Sequence, residues 1–180
     1  MPDKATMYIS AIEDGEYMEE KIGFWETVYG FNMSHIKSLA LREPLVDTVN
    51  GQAVATTAYP YREIDLYTVK IEDLAFEVPF EIVASRDDYV HAFISYFDID
   101  FSACHKPVRF STGPAAKYTH WKQTVFYLED YLTVKKGEKI EGTFKLGYNE
   151  KNHRDLDIAI TYRHEGALET KSATHRYKMC

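Results

Sequence analysis

The residues best suited to chemistry form one short run, Tyr118-Thr119-His120-Trp121. A histidine exchanges a proton near neutral pH or ion-pairs with a carboxylate. An adjacent indole offers a flat face to a planar cation such as guanidinium. The same residue types are also ordinary core components, a Trp buried in a barrel and a His that satisfies backbone groups. Residue chemistry alone leaves both readings open. The seven histidines form no His-x-His or His-Glu-x-x-His pattern and no Cys-x-x-Cys occurs, so no metal site is expected. Cys104-His105 is a bare pair in a loop, and Gly137-Glu138-Lys139 reads as a hairpin turn, not a phosphate loop. No Gly-x-Gly-x-x-Gly follows a strand, and Asp155-x-Asp157 has the spacing of a solvated strand face. These motifs do not add up to a complete enzyme.

The elements that must position the run are mostly strands. Ile140, Gly142, Phe144 and Leu146 alternate with Glu141, Thr143 and Lys145, and Leu156, Ile158, Ile160 and Tyr162 repeat the pattern. A last strand is expected from about Ala167 to Tyr177. Further strands are expected over Ile64–Ile71, Leu74–Ala84 and Tyr89–Phe101, the last apolar on both faces. Strands without intervening helical patterns imply a mainly β fold, an antiparallel β-barrel or sandwich. Ser102 to Tyr118 carries no periodicity, and an irregular connection of about 17 residues is often functional.

One segment breaks the β pattern. Met18, Ile22, Trp25 and Tyr29 fall on one helical stripe, predicting a helix over Glu16–Tyr29 with Asp14 as N-cap and Gly30 at the C′ position. Gly23 weakens such a helix by about 1 kcal/mol relative to Ala. It either packs on its own barrel or projects as an arm, and Phe24, Phe31 and Met33 add apolar surface off the stripe.

The 180 residues carry 21 Lys+Arg against 28 Asp+Glu, a formal charge of −7, with 14 Tyr, 10 Phe and 2 Trp. So many aromatics exclude a disordered tail, and the length suits one domain. The acidic balance argues against a nucleic-acid partner. No apolar run is long enough to span a membrane, and the first residues lack a signal-peptide core. Two cysteines make no disulfide framework. A soluble, intracellular domain is the expectation.

Tyr118-Thr-His-Trp-Lys-Gln-Thr-Val-Phe-Tyr127 resembles the Thr-His-Trp loop of protein arginine N-methyltransferases. The likeness extends through Arg42-Glu-Pro-Leu-Val-Asp47, Arg86-Asp-Asp-Tyr-Val-His-Ala92, Phe110-Ser-Thr-Gly-Pro114, Glu129-Asp-Tyr-Leu-Thr-Val134 and Asn152-His-Arg-Asp-Leu-Asp157. It covers essentially the whole chain, and its Thr-His-Trp form looks like type I enzymes, of which the main type is the nearest likeness. The resemblance is to the C-terminal half only. It implies that residues 1–180 are the substrate-binding β-barrel, with a dimerisation arm inserted at about 13–36 and the Rossmann-like cofactor domain absent. Met1 then stands at the domain junction of a fragment.

The resemblance further implies that His120 pairs with an aspartate of the cofactor domain, as the catalytic residue of this half. Trp121 lines the acceptor-arginine pocket, with Tyr118 and Thr119 shaping the loop. Tyr17, Met18, Ile22, Trp25, Tyr29, Phe31 and Met33 become the dimer contacts, with Asn32 where the family often has Asp. The implied reaction moves a methyl group from S-adenosylmethionine to an arginine guanidinium in histones and Arg-Gly-rich proteins. That cofactor belongs to the full-length enzyme, and the chain alone is expected to bind none and to be inactive. Arginine-containing proteins and a second copy are the implied partners, in cytoplasm and nucleus. The alternative is a non-catalytic module that pairs with an intact methyltransferase.

Overall fold

A computed structural model describes residues 1–180. The strands are β1 (Lys4–Ile12), β2 (Thr27–Val28), β3 (Phe31–Asn32), β4 (Leu45–Asp47), β5 (Tyr59–Asp65), β6 (Phe76–Val83), β7 (Asp88–Phe101), β8 (Val108–Ser111), β9 (Gln123–Val134), β10 (Lys139–Tyr148), β11 (Leu156–Glu165) and β12 (Thr170–Met179). Two helical pieces accompany them, α1 (Gly15–Tyr17) and α2 (Ser34–Ala40). One sheet runs β4-β9-β7-β1-β5 with β8 on the end of β7, and a second runs β12-β11-β10-β6. Every pairing between these strands is antiparallel.

The expected barrel is therefore two sheets whose ladders do not join into one closed ring. Instead, short links tie their edges. Between β9 and β12 side chains do so: the Tyr177 hydroxyl donates to the Tyr127 carbonyl (2.9 Å), Lys171 Nζ to the Tyr131 carbonyl (2.6 Å), and the Glu169 carboxylate accepts from Thr133 N–H. At the other seam Thr57 N–H donates to the Val83 carbonyl and Ser85 N–H to the Ala55 carbonyl, both at 2.8 Å. Backbone groups at the seams thus find partners without a continuous ladder.

The main core lies between the sheets, where Ile9, Phe80, Phe93, Phe126, Leu128, Phe144, Ile160 and Tyr162 pack together. Gly142 belongs to this layer because β6 lies close. A Cβ there would meet the Phe80 ring at 2.6 Å and also the Thr161 carbonyl. A second cluster covers the opposite face of the first sheet and contains Ile12, Ile22, Val49, Ala92, Ile94, Val125 and Tyr127. This explains the apolar residues on both faces of β7: Val90 and Phe93 face the main core, Ala92 and Ile94 the second cluster.

Several expected elements differ. The strand expected over Ile64–Ile71 is β5, which ends at Asp65. The Asp65 carboxylate accepts from Tyr67 N–H (2.8 Å) and its carbonyl from Val69 N–H (3.0 Å), so the chain turns. The connection after β7 is only partly irregular, since β8 pairs with β7 over Asp98–Phe101. β1, between β7 and the edge strand β5, has no counterpart among the expected strands.

The expected helix over Glu16–Tyr29 is broken. After α1 the chain makes a π turn over Met18–Ile22 and a 3-10 turn over Gly23–Glu26. Thr27 and Val28 then leave the helix for a hairpin with β3. Tyr29 (φ 51°) and Gly30 (φ 84°) are its two central residues, so Gly30 serves a hairpin turn rather than a helix end. Asp14 makes no side-chain cap; its Oδ2 accepts instead from the Tyr127 hydroxyl at 2.5 Å.

Candidate functional site: an exposed histidine–tryptophan loop and an apolar arm

The loop between β8 and β9 carries Tyr118, His120 and Trp121 outward, with Thr119 half-buried among them. Two phenylalanines from neighbouring strands support it. Trp121 stacks on Phe110 of β8 (centroids 5.7 Å, planes 20° apart) and meets the edge of Phe97 of β7 (5.9 Å, 72°). The His120 ring lies 3.9 Å from the Trp121 ring, tilted by 35°. Trp121 nevertheless remains 49% exposed and Tyr118 69%, and His120 is exposed as well. The bland reading, a buried Trp beside a His that satisfies backbone groups, is therefore wrong.

The turn that releases this pair is tight. Lys122 has φ 54°, and its N–H donates to the Thr119 carbonyl (3.1 Å). Its Nζ reaches Asp47 Oδ1 at 2.8 Å, and the same oxygen accepts from Thr48 N–H at 2.7 Å. The Lys122 hydrogen bond, with the Thr48 one, holds the Asp47 carboxyl below its ordinary range; Asp47 in turn raises Lys122. The Thr119 hydroxyl is buried without a partner.

Chemically, the loop offers an indole face backed by phenylalanine and an imidazole open to solvent. The histidines that approach this chain's carboxylates are His91, near Glu13, and His164, near Glu138.

The arm divides into two parts. Tyr17, Met18 and Ile22 face inward: Ile22 is buried in the second cluster, Met18 packs beside it, and Tyr17 stacks on Tyr127 at 4.8 Å with planes 8° apart. Burial raises the Tyr127 hydroxyl well above its usual value, and the Asp14 carboxylate adds to this. These three residues fasten the arm to its own sheet. Trp25 is half-buried and meets Phe24 edge-on (5.4 Å, 77°). Phe24, Tyr29, Phe31 and Met33 stand in solvent, Tyr29 at 97% exposure.

Sequence reasoning missed the supports of the loop: Phe97, Asp47, Lys122 and Gln123, and the role of Phe110. The positive φ at Lys122 has no residue signature, and Phe97 reads as one more apolar strand residue.

Fold and site together define an antiparallel two-sheet β protein with an exposed His–Trp pair on one loop and exposed apolar side chains on a short hairpin segment. Residues 3–167 match the family described as the arginine methyltransferase oligomerization subdomain. The chain is 52% identical over 178 residues to protein arginine N-methyltransferase 1 of Caenorhabditis elegans, covering 99% of this chain and 51% of that protein. It is 56% identical over 182 residues to the Schizosaccharomyces pombe protein of the same name, covering 99% and 54%. Among solved structures it superposes on the Trypanosoma brucei PRMT1 enzyme–prozyme heterotetrameric complex with AdoHcy. There the TM-score is 0.97 at 38% identity, over 100% of this chain and 57% of that one. The chain belongs to the arginine methyltransferase oligomerization subdomain family. It spans about half the length of the curated relatives it matches.

Proposed function

We propose that residues 1–180 are the substrate-side and dimerisation half of a type I protein arginine N-methyltransferase, barrel-like, with an arm at about 13–36. The observation that carries this reading is the His120–Trp121 pair, held outward on Phe97 and Phe110 and open on its free side. Trp121 gives a planar guanidinium a flat wall, which fits a cation better than a neutral side chain. Tyr118 and Thr119 shape the approach. His120 pairs with a carboxylate of the companion half and so fixes how the two halves meet.

In this reading S-adenosylmethionine is held by the half of the relatives that this chain does not match. The AdoHcy named with the Trypanosoma brucei complex, of whose chain this one covers 57%, supports that reading. Alone, the chain binds no cofactor and transfers no methyl group. Its own contribution is to bind and orient the acceptor.

The exposed part of the arm, Phe24, Tyr29, Phe31 and Met33, supplies the contact to a second copy. The substrates in this reading are arginine-containing proteins such as histones and Arg-Gly-rich chains, in cytoplasm and nucleus, with neither nucleic acid nor membrane as partner. A non-catalytic module that pairs with an intact enzyme is the second reading. The enzyme–prozyme composition of the Trypanosoma brucei assembly supports keeping it.

The test joins the chain to a cofactor-binding half and replaces Trp121. Trp121→Ala is expected to raise KM for an Arg-Gly peptide about tenfold or more while leaving S-adenosylmethionine affinity unchanged. An unchanged KM would overturn the assignment.

A further inference from the structure

Three chain segments meet at one buried amide. Gln123 opens β9 directly after the loop and is 6% exposed. Its Nε2 donates to the Thr112 carbonyl (2.6 Å), and its Oε1 accepts from Val49 N–H (2.7 Å). Thr112, also buried, is tied to β7. Its hydroxyl accepts from Phe97 N–H and donates to the Phe97 carbonyl, both at 2.9 Å, and its own N–H reaches that carbonyl at 2.9 Å. The loop from Thr112 to Gln123 is thus closed end to end by one side chain. It is pinned to the residue whose ring meets the edge of Trp121.

Few side chains can make this closure. A carboxamide presents a donor and an acceptor in one plane, whereas ionised Glu only accepts and Met offers only a weak acceptor. Leaving the Val49 N–H or the Thr112 carbonyl unmet in a buried place carries a full desolvation cost. The Lys122–Asp47 ion pair at the outer side of the turn is solvent-exposed, and such pairs restrain little.

We propose that Gln123 is a positioning residue for the acceptor wall: by closing the loop it fixes how the His120 and Trp121 rings face each other. The relevance to an arginine acceptor rests on the proposed function, but the test below uses no methyl transfer, so the two ideas fail separately.

The measurement uses the 180-residue chain with Trp25→Phe, so that Trp121 is the one indole, and reads its longest-wavelength near-UV circular dichroism band at constant pH. An indole fixed against Phe110, Phe97 and His120 gives a structured band. Gln123→Met should remove at least half of that band while far-UV circular dichroism stays native. If Gln123→Met does not fold, Gln123→Glu is the second variant. It keeps an acceptor for Val49 N–H, loses the donor to the Thr112 carbonyl, and should also remove at least half of the band. A full band in the folded Gln123→Met chain, or in Gln123→Glu where the former does not fold, would overturn the proposal.

Discussion

The sheet of β6, β10, β11 and β12 buries most of its aromatic rings, whereas the outer part of the arm and the loop ahead of β9 hold several of theirs in solvent. Phe80, Phe144, Tyr162 and Tyr177 are each at most 5% exposed, and Tyr61 stacks on Phe144 at 4.7 Å. Across the molecule, Phe31 and Tyr29 sit on a two-residue hairpin, and Trp121 on a turn with a left-handed lysine. Where β residues alternate, burial decides which way a ring points. At the hairpin and the loop, turns and polar closures decide it, against the hydrophobic preference. Such surfaces suit contacts with something else.

The contrast breaks most visibly under truncation. Phe144→Ala should cost about 3–5 kcal/mol of unfolding free energy, because it opens a cavity in the main core. Phe31→Ala should stay within about 0.5 kcal/mol and instead weaken any self-association. Denaturant unfolding and sedimentation velocity separate the two effects. Similar stability losses would show that the hairpin packs on this chain after all.

Tyr127→Phe probes the join between core and arm. Its hydroxyl donates to Asp14 at 2.5 Å, so deletion leaves a carboxylate oxygen without its donor at a cost of about 1–3 kcal/mol. The arm's first turn should loosen, read as faster amide exchange at Gly15 and Glu16 with β10–β12 unaffected.

The smallest effect concerns pH. Burial lowers the His175 pKa below its usual value, outweighing the attraction of Glu129 and Asp130. The unfolded chain therefore binds that proton more readily. Stability is full above about pH 6.5, the unfolded value, and declines as pH falls below it. Replacing the residue with His175→Gln should flatten the fall in Tm between pH 7 and 5.5. An identical fall in both chains would remove His175 as its source.

Alternation made β10 and β11 legible because one face of each packs on the core, so residues such as Ile158 and Ile160 stand apart from Asp157 and Thr161. β1 hid because both of its faces are covered: Ser10 is as buried as Ile9, and a strand buried on two sides loses its period of two. The arm misled through its stripe. Met18, Ile22 and Trp25 keep helical spacing, yet Gly23, two β-branched residues and the Tyr29-Gly30 turn end the helix. His120 and Trp121 stood out by residue type, and the likeness to a family loop favoured a site over a buried pair. The supports could not be read, since Gln123 bonds main-chain groups of Val49 and Thr112, which any residue supplies.

In the proposed function this chain supplies the acceptor wall but not the cofactor. The direct measurement is methyl transfer to an Arg-Gly peptide, followed by mass spectrometry. It compares the chain alone, the chain fused behind the cofactor-binding half of the Caenorhabditis elegans relative, and that fusion with His120→Gln. Turnover is expected from the fusion, at least about tenfold less with His120→Gln, and none from the chain alone. Turnover by the isolated chain, or a fusion indifferent to His120, would contradict it.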